Sequence, residues 1–220
     1  MSISEMIKIE WGLLPLLEHE EEVSPKALEL DLATNPDSFC EVIRIMYKSK
    51  KKKQDEPTED QKQLADYGWR LLNGWRIPPG TKQDGTFDGE AFDEWLKKVK
   101  ESCDESGHLE VALINIGHVL IHAPSDPSGL WIHGSIANAL NAKDAKVMRD
   151  DYSTALYNLR GTHLVDPEGK PEMELAENYK TKADAVEAAG YHRLATTLRK
   201  LGNSYEREAE RLRERDPFDD

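Results

Sequence analysis

The chain has 220 residues, 38% hydrophobic and 32% charged, enough apolar material for one sizeable helical domain or two small ones. Its formal net charge of -13 repels a phosphate backbone, so general nucleic-acid binding is disfavoured, while a basic protein surface is attracted. Five tryptophans argue against disorder, and the two cysteines, Cys40 and Cys103, lean towards a reducing compartment and read as small buried hydrophobes.

The first apolar segment, Ile3 to Leu17, is interrupted by Glu5, Lys8 and Glu10 and carries Pro15, so it predicts a short kinked helix and not a secretory leader. No stretch approaches the roughly 20 apolar residues of a membrane span. The cytoplasm is the expected location. Ser24-Pro25 predicts an N-cap and first turn for a helix through Leu28 and Leu32. Asn35-Pro36 repeats the device before the stripe Phe39, Val42, Ile43 and Met46. Residues 48–57 read as a Lys-rich linker. Thr58 with Gln61 predicts a capping box, opening a helix to about Trp75 that packs on two sides, through Leu64, Tyr67 and Leu71 and through Trp69 and Leu72.

Pro78, Pro79, Gly80, Gly85 and Gly89 make residues 77–89 a loop and an expected subdomain boundary. Asp88 caps the next helix, which carries Phe92, Trp95, Leu96 and Val99 and stops near Gly107. Leu109 to Ile121 is apolar around most of its circumference, so it is expected to be the most buried helix. A second breaker cluster at Pro124, Asp126, Pro127 and Gly129 precedes a helix from Trp131 to Leu140, and Asn141 is placed to cap one reaching Leu159. After a loop over 161–171, Leu175, Tyr179, Ala183 and Val186 face the stripe Leu194, Leu198, Leu201, Tyr205 and Leu212, which predicts an antiparallel helical hairpin. The expected fold is therefore all-α: about nine helices in an irregular bundle or α-solenoid-like array. It divides into residues 1–76, the 77–89 loop, residues 90–215 and an acidic tail over 216–220.

Three constellations suggest chemistry. His118 and His122 stand four apart on a predicted helix, the spacing that aims two imidazoles at one metal, and His133 follows after a turn. They imply a zinc or other transition-metal site and a metal-dependent hydrolase; against this, Val119 follows His118 where a metalloprotease motif needs Glu. The lysines at 48 and 50–53 imply a nucleic-acid-binding module, but Asp55, Glu56, Glu59 and Asp60 offset them. Asp126 and Trp131 beside the second breaker cluster, and Arg160 beside Gly161, are the aromatic and charged types that anchor protein interfaces. The paired carboxylates, such as Asp150-Asp151, point in different directions on a helix and form no acid–base pair.

Several segments carry a resemblance. Glu10-Trp11 with Leu14-Pro15-Leu16, Asn35-Pro36 with Phe39, and Leu71-Leu72 with Trp75-Arg76 form its first half. Ala123 to Trp131, the Tyr157 to Gly161 turn, and Leu194 to Glu208 with Leu198-Arg199 and Ser204-Tyr205-Glu206 form its second. Together they resemble a C-terminal helical region of very large bacterial proteins, some of them associated with antiphage defence. The resemblance implies a structural role inside a larger assembly and supplies no catalytic residue and no metal. The expectation is a non-enzymatic helical interaction or scaffold module without a cofactor, binding a protein partner that carries a basic surface, or another part of a larger multidomain protein.

Overall fold

The computed structural model describes residues 9–12, 25–51, 56–161 and 166–214. Expectations for most of Ile3 to Leu17, for the Ser24 cap, for Lys52 and Lys53 and for the tail over 216–220 lie outside the described residues. Within them, caps mark where several helices begin. Asn35 Oδ1 accepts the Asp37 N–H at 3.2 Å, and Thr58 and Gln61 close a reciprocal capping box. Asp88 Oδ1 accepts from Glu90 and Ala91 at 3.0 and 3.1 Å. The helices so opened are α2 (Pro36–Met46), α3 (Glu59–Gly74) and α4 (Gly89–Ser106). Before them lies α1 (Lys26–Thr34), and after them α5 (Leu109–Val119), α6 (Gly134–Asn141), α7 (Lys146–Asn158), α8 (Lys170–Ala188) and α9 (His192–Glu214). The described residues thus hold these nine α-helices, a helical stretch over 9–12 and no strand, only an isolated antiparallel bridge between Thr81 and Phe87. None of these helices is long and apolar enough to cross a membrane.

The chain divides into two compact units between Ala123 and Pro124, not at the 77–89 loop. The loop fails as a boundary because it is folded into the first unit. Pro78, Pro79 and Gly80 are buried, Gly80 donates to Ala33 O at 3.2 Å, and Asp88 donates to Gly80 O at 2.9 Å. Breaker residues here shape a tight turn, and the helix that follows returns to the same core.

In the first unit α2 is the centre, packed against α1, α3, α4 and α5. Phe39 of α2 meets Trp75 and Trp95 with ring centroids 5.5 and 5.1 Å apart, all three rings tilted as aromatic quadrupoles prefer. Both buried indole N–H groups find acceptors on α1, Trp75 at Glu29 O (3.2 Å) and Trp95 at Leu32 O (3.0 Å). The fully buried Glu29 carboxylate accepts the Arg76 N–H at 2.6 Å, fixing the chain as it leaves α3. The expected two-sided packing of α3 is not found. Leu71, Leu72 and Trp75 are buried, but Leu64 and Trp69 stay exposed, while Gly68 between them lies against Met46 and Val42 of α2.

In the second unit α9 touches α6, α7 and α8, so the arrangement is a bundle; in a solenoid each helix would meet only its sequence neighbours. The expected hairpin of α8 and α9 is present, burying Ala176, Tyr179, Ala183 and Val186 against Leu194, Leu198, Leu201 and Tyr205. Close approach depends on small residues: a Cβ on Gly202 would lie 3.0 Å from Ala176 O, and one on Gly169 would lie 2.8 Å from Ala209 Cα. Gly169 also has φ of 62°, a left-handed conformation that other residues adopt at a cost. Asn141 does not cap α7. It is the last residue of α6, and its Oδ1 accepts the Arg193 and Leu194 N–H groups at 2.7 and 3.4 Å, capping α9 from 52 positions away. Arg149 Nη1 donates to Leu140 O and Ala142 O at 2.6 and 2.9 Å, satisfying the carbonyl end of α6.

Candidate functional site

The histidines do not share one helix. α5 ends at Val119, and Leu120–His122 tightens into a 3-10 turn, so the four-residue spacing of His118 and His122 loses its α-helical register. His122 Nε2 is buried without a hydrogen-bond partner among the described residues. Burial lowers its pKa to about 4, with Arg76 and His118 adding smaller repulsions, so the ring is neutral at physiological pH. His133 lies beyond the division between the units and caps α6, its Nδ1 accepting the Ser135 N–H at 3.3 Å. Among the described residues no three His, Cys, Asp or Glu side chains converge as metal ligands would.

The three residues expected at an interface are each engaged inside the second unit. Asp126 takes the N–H groups of Ser128 (2.8 Å) and Gly134 (2.7 Å), tying the breaker loop to the first turn of α6. Those bonds, the ones to Ser128 first, hold its carboxyl down to about 2. Trp131 donates its indole N–H to Lys182 O at 3.1 Å, and the Lys182 ammonium stands 4.9 Å from its ring centroid. Arg160 pairs with the fully buried carboxylate of Glu172, lies 3.8 Å from Glu208 Oε1 and covers the Tyr205 ring at 5.9 Å. That ring stacks in turn on Tyr157 and Tyr179 at 5.3 and 5.8 Å.

Nor do they form one patch. Arg160 meets α8 at Glu172 in its first turn, Trp131 meets it at Lys182 about 15 Å further along at 1.5 Å per residue, and Asp126 holds Gly134 next to Tyr191, past the far end of α8. Their types signalled importance correctly as structural anchors. Apart from Ser128, two positions from Asp126, the hydrogen-bonding partners lie 8 to 51 positions away, and the sequence offers no sign of them.

The lysine run is likewise partly spent. Lys50 pairs with Glu110, and Lys51 Nζ reaches Asp104 O at 2.5 Å and its carboxylate at 3.5 Å. Ser49 Oγ donates to Ser106 O at 2.6 Å, so this segment covers the carbonyl end of α4, where cations are favoured. Sequence reading also passed over His108, only 4% exposed, whose ring nitrogens stand 3.0 Å from Ser106 Oγ and 3.1 Å from Tyr47 O.

The described residues also form concave surfaces. A hollow of about 670 Å³ in the first unit is lined by Ile45, Met46, Leu64 and Ala65, together with Arg44, Lys48, Glu56 and Lys62. A shallow groove of about 360 Å³ between α7 and α9 carries Thr154 and Ser204, whose hydroxyls donate to Asp150 O and Lys200 O one turn back and so are not poised as nucleophiles. Beside the hollow, one turn beyond Ala65, stands Trp69. It is 57% exposed, whereas the other four tryptophans are buried or half-buried. Comparison of the chain with protein families, with curated proteins and with solved structures returns no match.

Proposed function

We propose that the protein is a non-catalytic helical interaction module, and that the exposed edge of α3 around Trp69 and Leu64 is the surface that takes its protein partner. The observation that carries this reading is Trp69. A tryptophan with more than half its surface in water forgoes most of the stabilisation its burial would bring, on the order of 25 cal/mol per Å² of apolar area. Tryptophan is also the residue type most enriched among interface anchors. The neighbouring hollow, with its apolar lining and mixed charges, suits a partner side chain inserted beside that ring.

Charge supports the choice of partner. With 42 acidic against 29 basic side chains the chain carries a field that steers a basic surface towards it and slows approach of an acidic one. Many of the polar groups described above are taken up in caps, turns and internal pairs, which suits a scaffold role. The resemblance to C-terminal regions of large bacterial proteins extends the proposal: the partner belongs to a larger assembly with a defence role, an extension that rests on the resemblance alone.

The test is capture from a lysate of the source cells with wild-type chain and Trp69→Ala on the same matrix. The expected result is one dominant partner of high isoelectric point, released by rising salt and lost from Trp69→Ala while Trp131→Phe retains it. Equal capture by wild type and Trp69→Ala overturns the assignment of this surface.

A further inference from the structure

The chain has two cysteines, 63 positions apart, and the fold brings them together. Cys40 on α2 and Cys103 on α4 are both free, both fully buried, and their sulfurs are 3.5 Å apart with the Cys103 thiol donating to Cys40. Burial of small hydrophobes accounts for either one alone; it does not account for the only two thiols meeting. Their surroundings are also unequal. The Ser102 side chain hydrogen-bonds the Cys40 sulfur, and the Arg44 guanidinium, which donates to Ser102 Oγ at 2.5 Å, places a positive charge near Cys40. Asp37 opposes that charge more weakly.

We infer that Cys40 and Cys103 form an oxidisable dithiol, with Cys40 the attacking sulfur and Cys103 the resolving one, and that hydrogen peroxide converts the pair to a disulfide joining α2 to α4. In the first step the Cys40 thiolate attacks one oxygen of hydrogen peroxide and becomes a sulfenic acid. The other oxygen leaves as hydroxide and takes up the proton Cys40 released, giving water. The Cys103 sulfur then attacks the Cys40 sulfur, and its thiol proton departs with the sulfenic oxygen as a second water. Two thiols are oxidised and one peroxide is reduced. Both side chains are fully buried, so oxidation proceeds through local opening of the α2–α4 packing, which admits a reagent as small as hydrogen peroxide more readily than a bulky disulfide.

The asymmetry gives the reaction a direction. The hydrogen bond from Cys103 lowers Cys40 to about 7, while the same bond, followed by burial, pushes the Cys103 thiol upward. The thiolate needed for attack is therefore formed on Cys40 near neutral pH. Oxidation is expected to run about tenfold faster at pH 8 than at pH 6, following the thiolate fraction. The crosslink closes a long loop of the first unit and raises its thermal midpoint by several degrees.

The test treats the full folded chain with hydrogen peroxide, denatures it, alkylates free thiols and measures intact mass. The expected product has lost two hydrogens, accepts no alkylating label, yields one crosslinked peptide holding both cysteines, and regains two labels after reduction. Cys103→Ala is expected to stop at a sulfenic acid trapped by dimedone, and Cys40→Ala to resist oxidation. The wild-type mass decides alone if either variant fails to fold. Two labelled thiols after peroxide exposure, or crosslinks between chains in place of one within the chain, overturn the inference.

Discussion

Many ionisable side chains in this protein are engaged in its own caps, turns and ion pairs, and a buried one outside them behaves differently. His122 shows the consequence for pH. Its folded pKa of about 4 lies below the ordinary value of 6.5, so between these values the unfolded chain binds a proton that the folded chain refuses. Stability contributed by the neutral ring is present above pH 6.5 and is lost as pH falls towards 4. His122→Gln is expected to flatten the fall in denaturation midpoint between pH 6.5 and 4 relative to wild type, read from chemical unfolding at each pH. Arg160 gives a larger effect. Removing it leaves the Glu172 carboxylate, 0% exposed, without its guanidinium, so Arg160→Ala is expected to cost about 3–5 kcal/mol. Arg160→Met with Glu172→Leu is expected to recover most of that in the same measurement. At this scale the sequence was only half legible. Asp126, Trp131 and Arg160 stood out by type, but apart from Ser128, two residues after Asp126, their partners come from tertiary packing that no local spacing encodes.

Helices were the most legible level, because caps and apolar periodicity are local. Asn35, Thr58 and Asp88 cap where their side-chain chemistry predicts, and the α8–α9 hairpin follows the apolar stripes. Thr58→Ala removes the hydroxyl half of the capping box, leaving the backbone N–H of residue 58 on Gln61 Oε1, and is expected to cost about 1 kcal/mol, measured by urea unfolding. Local rules failed at Asn141, at the end of α5 and at Gly169. Asn141 has the right chemistry for a cap but serves the N–H groups of α9. The run from Leu109 to Ile121 looks continuous, yet its helix ends at Val119 and a 3-10 turn carries His122. The contact beneath Gly169 is also illegible: an added Cβ would strike Ala209 backbone atoms at 2.8 Å. Gly169→Ala is expected to cost about 1–3 kcal/mol in the second unit.

At the scale of the whole molecule, breaker density misplaced the division of the chain. The 77–89 loop is punctuated by proline and glycine, but its carbonyls and amides bond to α1 and to each other, and α4 returns to α2. The break after Ala123 falls at the other breaker cluster, where the residues that follow belong to a core centred on α9. Trp69 was read as packing inward because periodicity marks which residues are apolar without showing how many neighbours a helix has. Its exposure is what the functional account rests on. Hydroxyl-radical footprinting of the chain, alone and with its captured partner bound, addresses that account most directly. Trp69 is predicted to be readily oxidised in the isolated chain and strongly protected in the complex, with Leu64 protected alongside it. Unchanged oxidation of Trp69 in a chain that demonstrably holds its partner would contradict the account.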